Sequence, residues 1–122
     1  MIVTFKIDHV IHPSARGRKG KYGNFYSPTG KEINSLGWEF KAQCGHTINW
    51  EYPVTIKIIM SRNLMKTNHD LDNVIKTIID ALVQSTVIKD DKIIYIHEIQ
   101  ATISENPHTV IGISDDNNGS KN

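Results

Sequence analysis

The segment HDLDNVIKTIIDAL carries Asp70, Asp72, Lys76 and Asp80, and the segment KDDKII that follows carries Asp90 and Asp91. Two carboxylates at the start of a helix are held at one terminus, and a lysine four residues after the second lies on the neighbouring turn of the same face. Asp80 continues that polar stripe by another turn. A hard divalent cation such as Mg²⁺ takes oxygen ligands from few carboxylates and keeps several waters. The positions left open suit a phosphate and an attacking water. Lys76, protonated near neutral pH, would orient that water or offset charge developing on the phosphorane. The Asp90-Asp91 pair enters the next strand, where a return of the chain past the helix start would bring one carboxylate inward. Strand alternation keeps the two neighbours from pointing the same way.

Each piece also has a plainer meaning. Asp70 and Asp72 alone read as dipole-favourable acids worth a few tenths to ~1 kcal/mol each, and Lys76 as an ordinary i+4 partner. Asp90 and Asp91 alone read as a solvated turn. An EF-hand calcium loop is excluded, because Ile75 and Lys76 stand where that loop needs a glycine turn and further oxygen ligands. His69, His97 and His108 show no ligand spacing and are expected in core or surface roles. Cys44 is the only cysteine, so no intramolecular disulfide forms. With His46 it lacks a partnering pair at zinc-site spacing, and a buried, inert thiol is expected.

The elements that must position these groups are legible from periodicity. Leu71, Val74, Ile75, Ile78, Ile79, Leu82 and Val83 recur at helical spacing, with Asp70 as a natural N-cap. An earlier helix is expected from the capping box Thr29 to Glu32, running through Ile33, Leu36, Gly37, Phe40 and Cys44 to a stop at Gly45. Gly37 weakens that helix. Val3, Phe5 and Ile7 alternate with polar residues as a first strand, and Val54, Ile56, Ile58 and Met60 form a second after the turn residue Pro53. The run IIYIHEIQATI predicts a third strand with Ile93, Tyr95, Ile99, Ala101 and Ile103 on its apolar face. After the Asn106-Pro107 turn, TVIGI is expected to pair back antiparallel as a fourth. The result is an α+β (mixed α/β) fold: a small mixed sheet of about four strands packed on two main helices.

The chain has 122 residues, 39% hydrophobic and 22% charged, with net charge +1. This fits one domain over 1–114 with a polar, disordered tail over 115–122, and it is too apolar in pattern for a disordered protein. The start MIVTFKIDHV alternates where a leader would show a basic flank and an apolar run, and no segment reaches the ~18 apolar residues of a membrane span. The cytoplasm is the expected location. Asn118-Gly119-Ser120 is a chance match to a glycosylation acceptor.

The near-neutral sum hides basic clusters. Arg16, Arg18, Lys19 and Lys21 lie in a Gly- and Pro-containing loop or irregular hairpin from His12 to Pro28, and Arg62 and Lys66 precede the acidic site. Two basic loops of this kind could flank a cleavage point on DNA. Tyr22, Phe25 and Tyr26 offer flat faces for unstacked bases.

The combination of D-x-D-N-x-x-K-x-x-x-D-A-L with a later D-D resembles the RusA family of Holliday junction resolvases. Asp70, Asp72, Asn73, Lys76, Asp80, Ala81, Leu82, Asp90 and Asp91 all match, and the upstream strand, basic loop with GNFYSP and capped helix are also similar. The chain departs from the family pattern at His69, where a Pro is common, and in VQSTVIK, where a Gly often precedes the Asp pair. The resemblance implies a homodimeric crossover junction endodeoxyribonuclease making paired nicks in four-way junction DNA during recombination and repair. It implies Mg²⁺, with Mn²⁺ as a substitute, held by Asp70, Asp72 and Asp91, with Lys76 as catalytic cation. A four-way junction has approximate two-fold symmetry, so a dimer suits two matched cuts. Two rivals stand beside it: a nuclease for other branched DNA, and a non-catalytic DNA-binding module whose acids only cap a helix.

Overall fold

A computed structural model of the chain describes residues 1–13, 18–19, 25–26, 30–65 and 70–115, with backbone only at 18–19 and 25–26. Thr29 of the expected capping box, and the tail beyond Asp115, lie outside the described residues. Strand β1 (Ile2–Ile7) leads through a short hairpin, β2 (Arg18–Lys19) and β3 (Phe25–Tyr26), to helix α1 (Gly30–Cys44). Strand β4 (Val54–Ser61), a 3-10 turn (Arg62–Leu64), helix α2 (Leu71–Gln84), β5 (Ile96–Ser104) and β6 (Thr109–Ser114) complete the chain.

The main sheet is mixed and four-stranded, in the order β1-β6-β4-β5. Both helices pack on one face of it, as an α+β arrangement requires. Phe5, Phe40, Ile56, Ile58, Ile78 and Leu82 form the centre of the core at no more than 1% exposure. Helical and strand periodicities thus converge on one buried layer. Phe5 and Phe40 stack at a tilt with ring centroids 4.8 Å apart, within the range where aromatic pairs add to simple area burial.

Three expectations change. TVIGI does not pair with the preceding strand; β6 lies between β1 and β4, antiparallel to both. Its alternating buried residues Thr109, Ile111 and Ile113 suit a central strand. The third strand begins only at Ile96, so Ile93, 90% exposed, and Tyr95 precede it. The Cys44 thiol is half-buried and donates to the His46 carbonyl at 3.1 Å.

Gly45 ends α1 with φ +78°, the left-handed conformation that costs glycine nothing. Gly37 faces α2 instead: a Cβ built there would sit 3.5 Å from the Ala81 carbonyl oxygen and 3.7 Å from Ser85 Cβ. Those are ordinary contacts, so an alanine fits. Gly37→Ala is therefore expected to stabilise the protein by about 0.5–1 kcal/mol, the propensity gain of alanine inside a helix. Urea denaturation, read at an unchanged m-value, checks it; a loss of stability would mean that the helices pack more closely here than the contacts allow.

Candidate active site

Helix α2 displays the first acidic group. Asp70 occupies the N-cap position with extended backbone (φ −80°, ψ 125°), yet its carboxylate makes no capping hydrogen bond. Instead its Oδ2 accepts from Asn73 Nδ2 at 3.3 Å. A pure helix cap would spend its oxygens on the first-turn amides; here Asp70 keeps an exposed carboxylate steadied by an amide one turn on. Asp72 is exposed in the first turn. Lys76 Nζ lies 3.4 Å from Asp80 Oδ2, an i,i+4 pair 59% and 29% exposed on its two sides. Exposed pairs of this type are worth only about 0.3–0.5 kcal/mol, so Lys76 can leave Asp80 for a phosphate at little cost.

The helix's opposite face explains why these groups point outward. Val74, Ile78 and Leu82 are buried against the sheet, which turns positions 72, 76 and 80 toward solvent. Thr77, also buried, donates its hydroxyl to the His12 carbonyl at 2.9 Å. That bond holds the segment after β1 against α2, five residues or about 7.5 Å along the axis from Asp72, and so anchors the start of the basic loop beside the acidic helix end. Periodicity alone shows Thr77 only as one polar residue in an apolar stripe; its partner is distant in sequence.

The second acidic group does not join the first within the chain. Strands β4 and β5 are parallel, so α2 between them must run back along the sheet. Its N-terminus stands at the end where β4 finishes, and its C-terminus at the end where β5 begins. Two bonds tie residues 89–95 to the start of β4: Lys89 N–H to the Tyr52 hydroxyl at 2.9 Å, and Val54 N–H to the Tyr95 carbonyl at 2.8 Å. The 14 residues of α2 span about 20 Å at ~1.5 Å each, and roughly that distance separates Asp91 from Asp70 and Asp72. The expected return of the chain past the helix start is thus not made, because a crossover between parallel strands delivers the chain to the other end of the sheet. Among the described residues, no three His, Cys, Asp or Glu side chains gather to hold a metal.

Within the pair the two carboxylates differ. Asp90 Oδ1 accepts the Asp91 amide at 2.7 Å, and its other oxygen faces Lys92 Nζ at 3.7 Å. The Asp91 amide first, then the Asp91 side chain and the Lys92 ammonium, hold its carboxyl below the usual carboxylate range against a smaller opposing effect of burial. Asp90 is thereby engaged in its own turn, whereas Asp91 is exposed.

Of the basic residues, Arg62 is paired with Glu105 at 2.8 Å, with both side chains more than half exposed. Arg18 and Lys19 stand in the hairpin, in register with Tyr26 and Phe25 respectively. Arg16, Lys21, Tyr22, Lys66 and His69 lie outside the described residues.

In donor chemistry the exposed oxygens of Asp70 and Asp72 suit a hard divalent cation, which needs one or two carboxylates and water. The chain offers two of the three expected ligands at one place. No helix among the described residues is long and apolar enough to cross a membrane. A family model described as endodeoxyribonuclease RusA matches residues 11–114, a span that includes both acidic segments. No curated protein matches the chain.

Proposed function

This chain belongs to the RusA endodeoxyribonuclease family, and on that premise we propose that it resolves four-way DNA junctions by paired, Mg²⁺-dependent nicks, as a cytoplasmic homodimer serving recombination and repair. The observation that carries the reading is an Asp70 carboxylate that sits at a helix cap without capping, beside an exposed Asp72 that lies about one turn from Lys76.

The ligand set is shared between protomers: Asp70 and Asp72 of one chain with Asp91 of the partner subunit. The separation of about 20 Å along α2 supports this, since a single chain leaves each acidic group incomplete. A divalent cation held by these carboxylates would polarise the phosphate and lower the pKa of a bound water. The residues supply the rest. Asp70, steadied by Asn73, and Asp72 fix the oxygens on one side, and Lys76 offsets charge gathering on the phosphate as water adds and the ester oxygen leaves. The hairpin cations and Arg62 neutralise flanking phosphates, with Glu105 released as DNA binds. Phe25 and Tyr26 offer stacking faces to unpaired bases at the crossover.

The deciding measurement incubates purified protein with a labelled four-way junction, a flap and a linear duplex, in Mg²⁺, in Mn²⁺ and in chelator. Symmetrically placed nicks in the junction alone, in either metal and lost in chelator, are expected. Equal nicking of all three substrates would overturn junction selectivity, and nicking that persists in chelator would overturn the metal.

A further inference from the structure

We infer that a duplex arm of the junction runs over the outer side of α1 and is held there by Lys31, Trp38 and Lys41; this rests on the junction reading above. Trp38 is 70% exposed in mid-helix, on the side of α1 opposite the buried Leu36 and Phe40. Lys41, one turn on, holds its Nζ 5.3 Å from the centre of the Trp38 ring, within the range of a cation–π contact. Lys31, two turns before Trp38, is exposed on the same side. The two acids of α1 lie on its other flank, toward the end of β1: Glu39 pairs with the His9 ring, and Glu32 accepts the His12 amide at 3.4 Å. The outer side of α1 thus carries cations and no acid. A near-neutral chain that sorts its charges this way presents a surface complementary to a polyanion.

The acidic end of α2 leads to this surface. Asp72, Lys76, Asp80 and Gln84 follow one another at four-residue steps on the solvent side of α2. Such a line turns by about 40° per step, and here it winds toward α1, which packs on α2 through Gly37 against Ala81 and Ser85. At its end Gln84 donates to the side-chain carbonyl of Asn34, and Trp38 lies one turn beyond Asn34. A hollow of about 150 Å³ joins the two helices there, lined by Asn34, Gly37, Trp38, Lys41, Gln84 and Ser85. Asp80, the one acid on this line beyond Asp72, is matched by Lys76 at 3.4 Å.

The spacing fixes where along the arm the contact falls. From Asp72 to Gln84 the helix advances about 18 Å, and packed helices lie about 8–10 Å apart, so Trp38 stands roughly 20–28 Å from Asp72. Duplex DNA rises about 3.4 Å per base pair, which sets the contact about six to eight base pairs from the cut. Bases that far along an arm are paired and stacked, and their faces are closed to an aromatic side chain. Trp38 therefore lies against the sugar backbone and holds the Lys41 ammonium toward a phosphate, a contact that positions the arm without reading its sequence.

The test measures affinity, in chelator, for two four-way junctions: one with arms of about 20 base pairs and one with hairpin-closed arms of about five, which end before the contact. Lys41→Glu is expected to bind the long-armed junction roughly tenfold more weakly and to lower the slope of log affinity against log salt by about one. Its affinity for the short-armed junction should stay within about two-fold of the unsubstituted protein. Trp38→Ala should show the same arm-length dependence with a smaller loss, and thermal unfolding checks that both variants fold. Lys57→Glu is the control: Lys57 is exposed on the sheet face away from the helices, so the same change of net charge there should leave both affinities unchanged. Unaltered binding by Lys41→Glu, an equal loss on both junctions, or an equal loss in Lys57→Glu would overturn the α1 contact and leave the junction reading intact. An unsubstituted protein that binds neither junction more tightly than linear duplex would overturn both.

Discussion

Asp72→Asn is expected to lower the rate of metal-dependent junction nicking by roughly 10³-fold or more, with junction affinity and folding stability close to those of the unsubstituted protein. The substitution keeps the shape of the side chain and removes the charge that a hard cation requires. Asp72 is exposed in the first turn of α2, so no buried contact is lost. Its benefit to the helix as an N-terminal acid is only ~0.3–1 kcal/mol. Single-turnover nicking at saturating enzyme isolates the chemical step from binding, and thermal unfolding checks the fold. The comparison to make is Asp80→Asn, which removes only the exposed i,i+4 partner of Lys76 and should leave the rate within a few-fold. Were Asp72→Asn to cut as fast as Asp80→Asn, Asp72 would be a dipole-favourable acid and nothing more.

Mixing two inactive variants separates a shared site from a self-contained one. Asp72→Asn and Asp91→Asn chains, each without activity alone, are expected to regain nicking when subunits are exchanged. If each site takes Asp70 and Asp72 from one chain and Asp91 from the other, a mixed dimer concentrates both defects in one site and leaves the second intact. Random exchange makes about half of the dimers mixed. The mixture should therefore recover about one quarter of the original sites, and its products should be single nicks in place of paired ones. If all three carboxylates served within one protomer, no mixed dimer would hold an intact site and the mixture would stay inactive. The separation of Asp91 from Asp70 along α2 is the physical reason to expect recovery.

Several features of this protein are fully local, and these were open to the sequence. Helix α2 could be read residue by residue because burying Val74, Ile78 and Leu82 is a matter of 3.6-residue spacing. The same spacing sets Asp72, Lys76 and Asp80 on the solvent side without reference to any other part of the chain. The stop at Gly45 was equally local. The cap at Asp70 was only half legible, since its position follows from spacing while the use of its carboxylate depends on Asn73 and on what solvent leaves free.

What the sequence by itself determined is therefore the set of elements, the face each one buries and the acidic stripe on α2, because each depends on neighbours within a turn or two. Which strands lie side by side was decided by tertiary structure: alternation in TVIGI marks a buried face and is silent about partners, so the place of β6 between β1 and β4 could not be read. The same holds for Asp91. Its distance from Asp70 follows from the parallel pairing of β4 with β5, which obliges α2 to carry the chain to the far end of the sheet. The exposure of Ile99 and Ile103 was likewise settled in three dimensions, because an apolar face is buried only where another element, from this chain or a second one, lies over it.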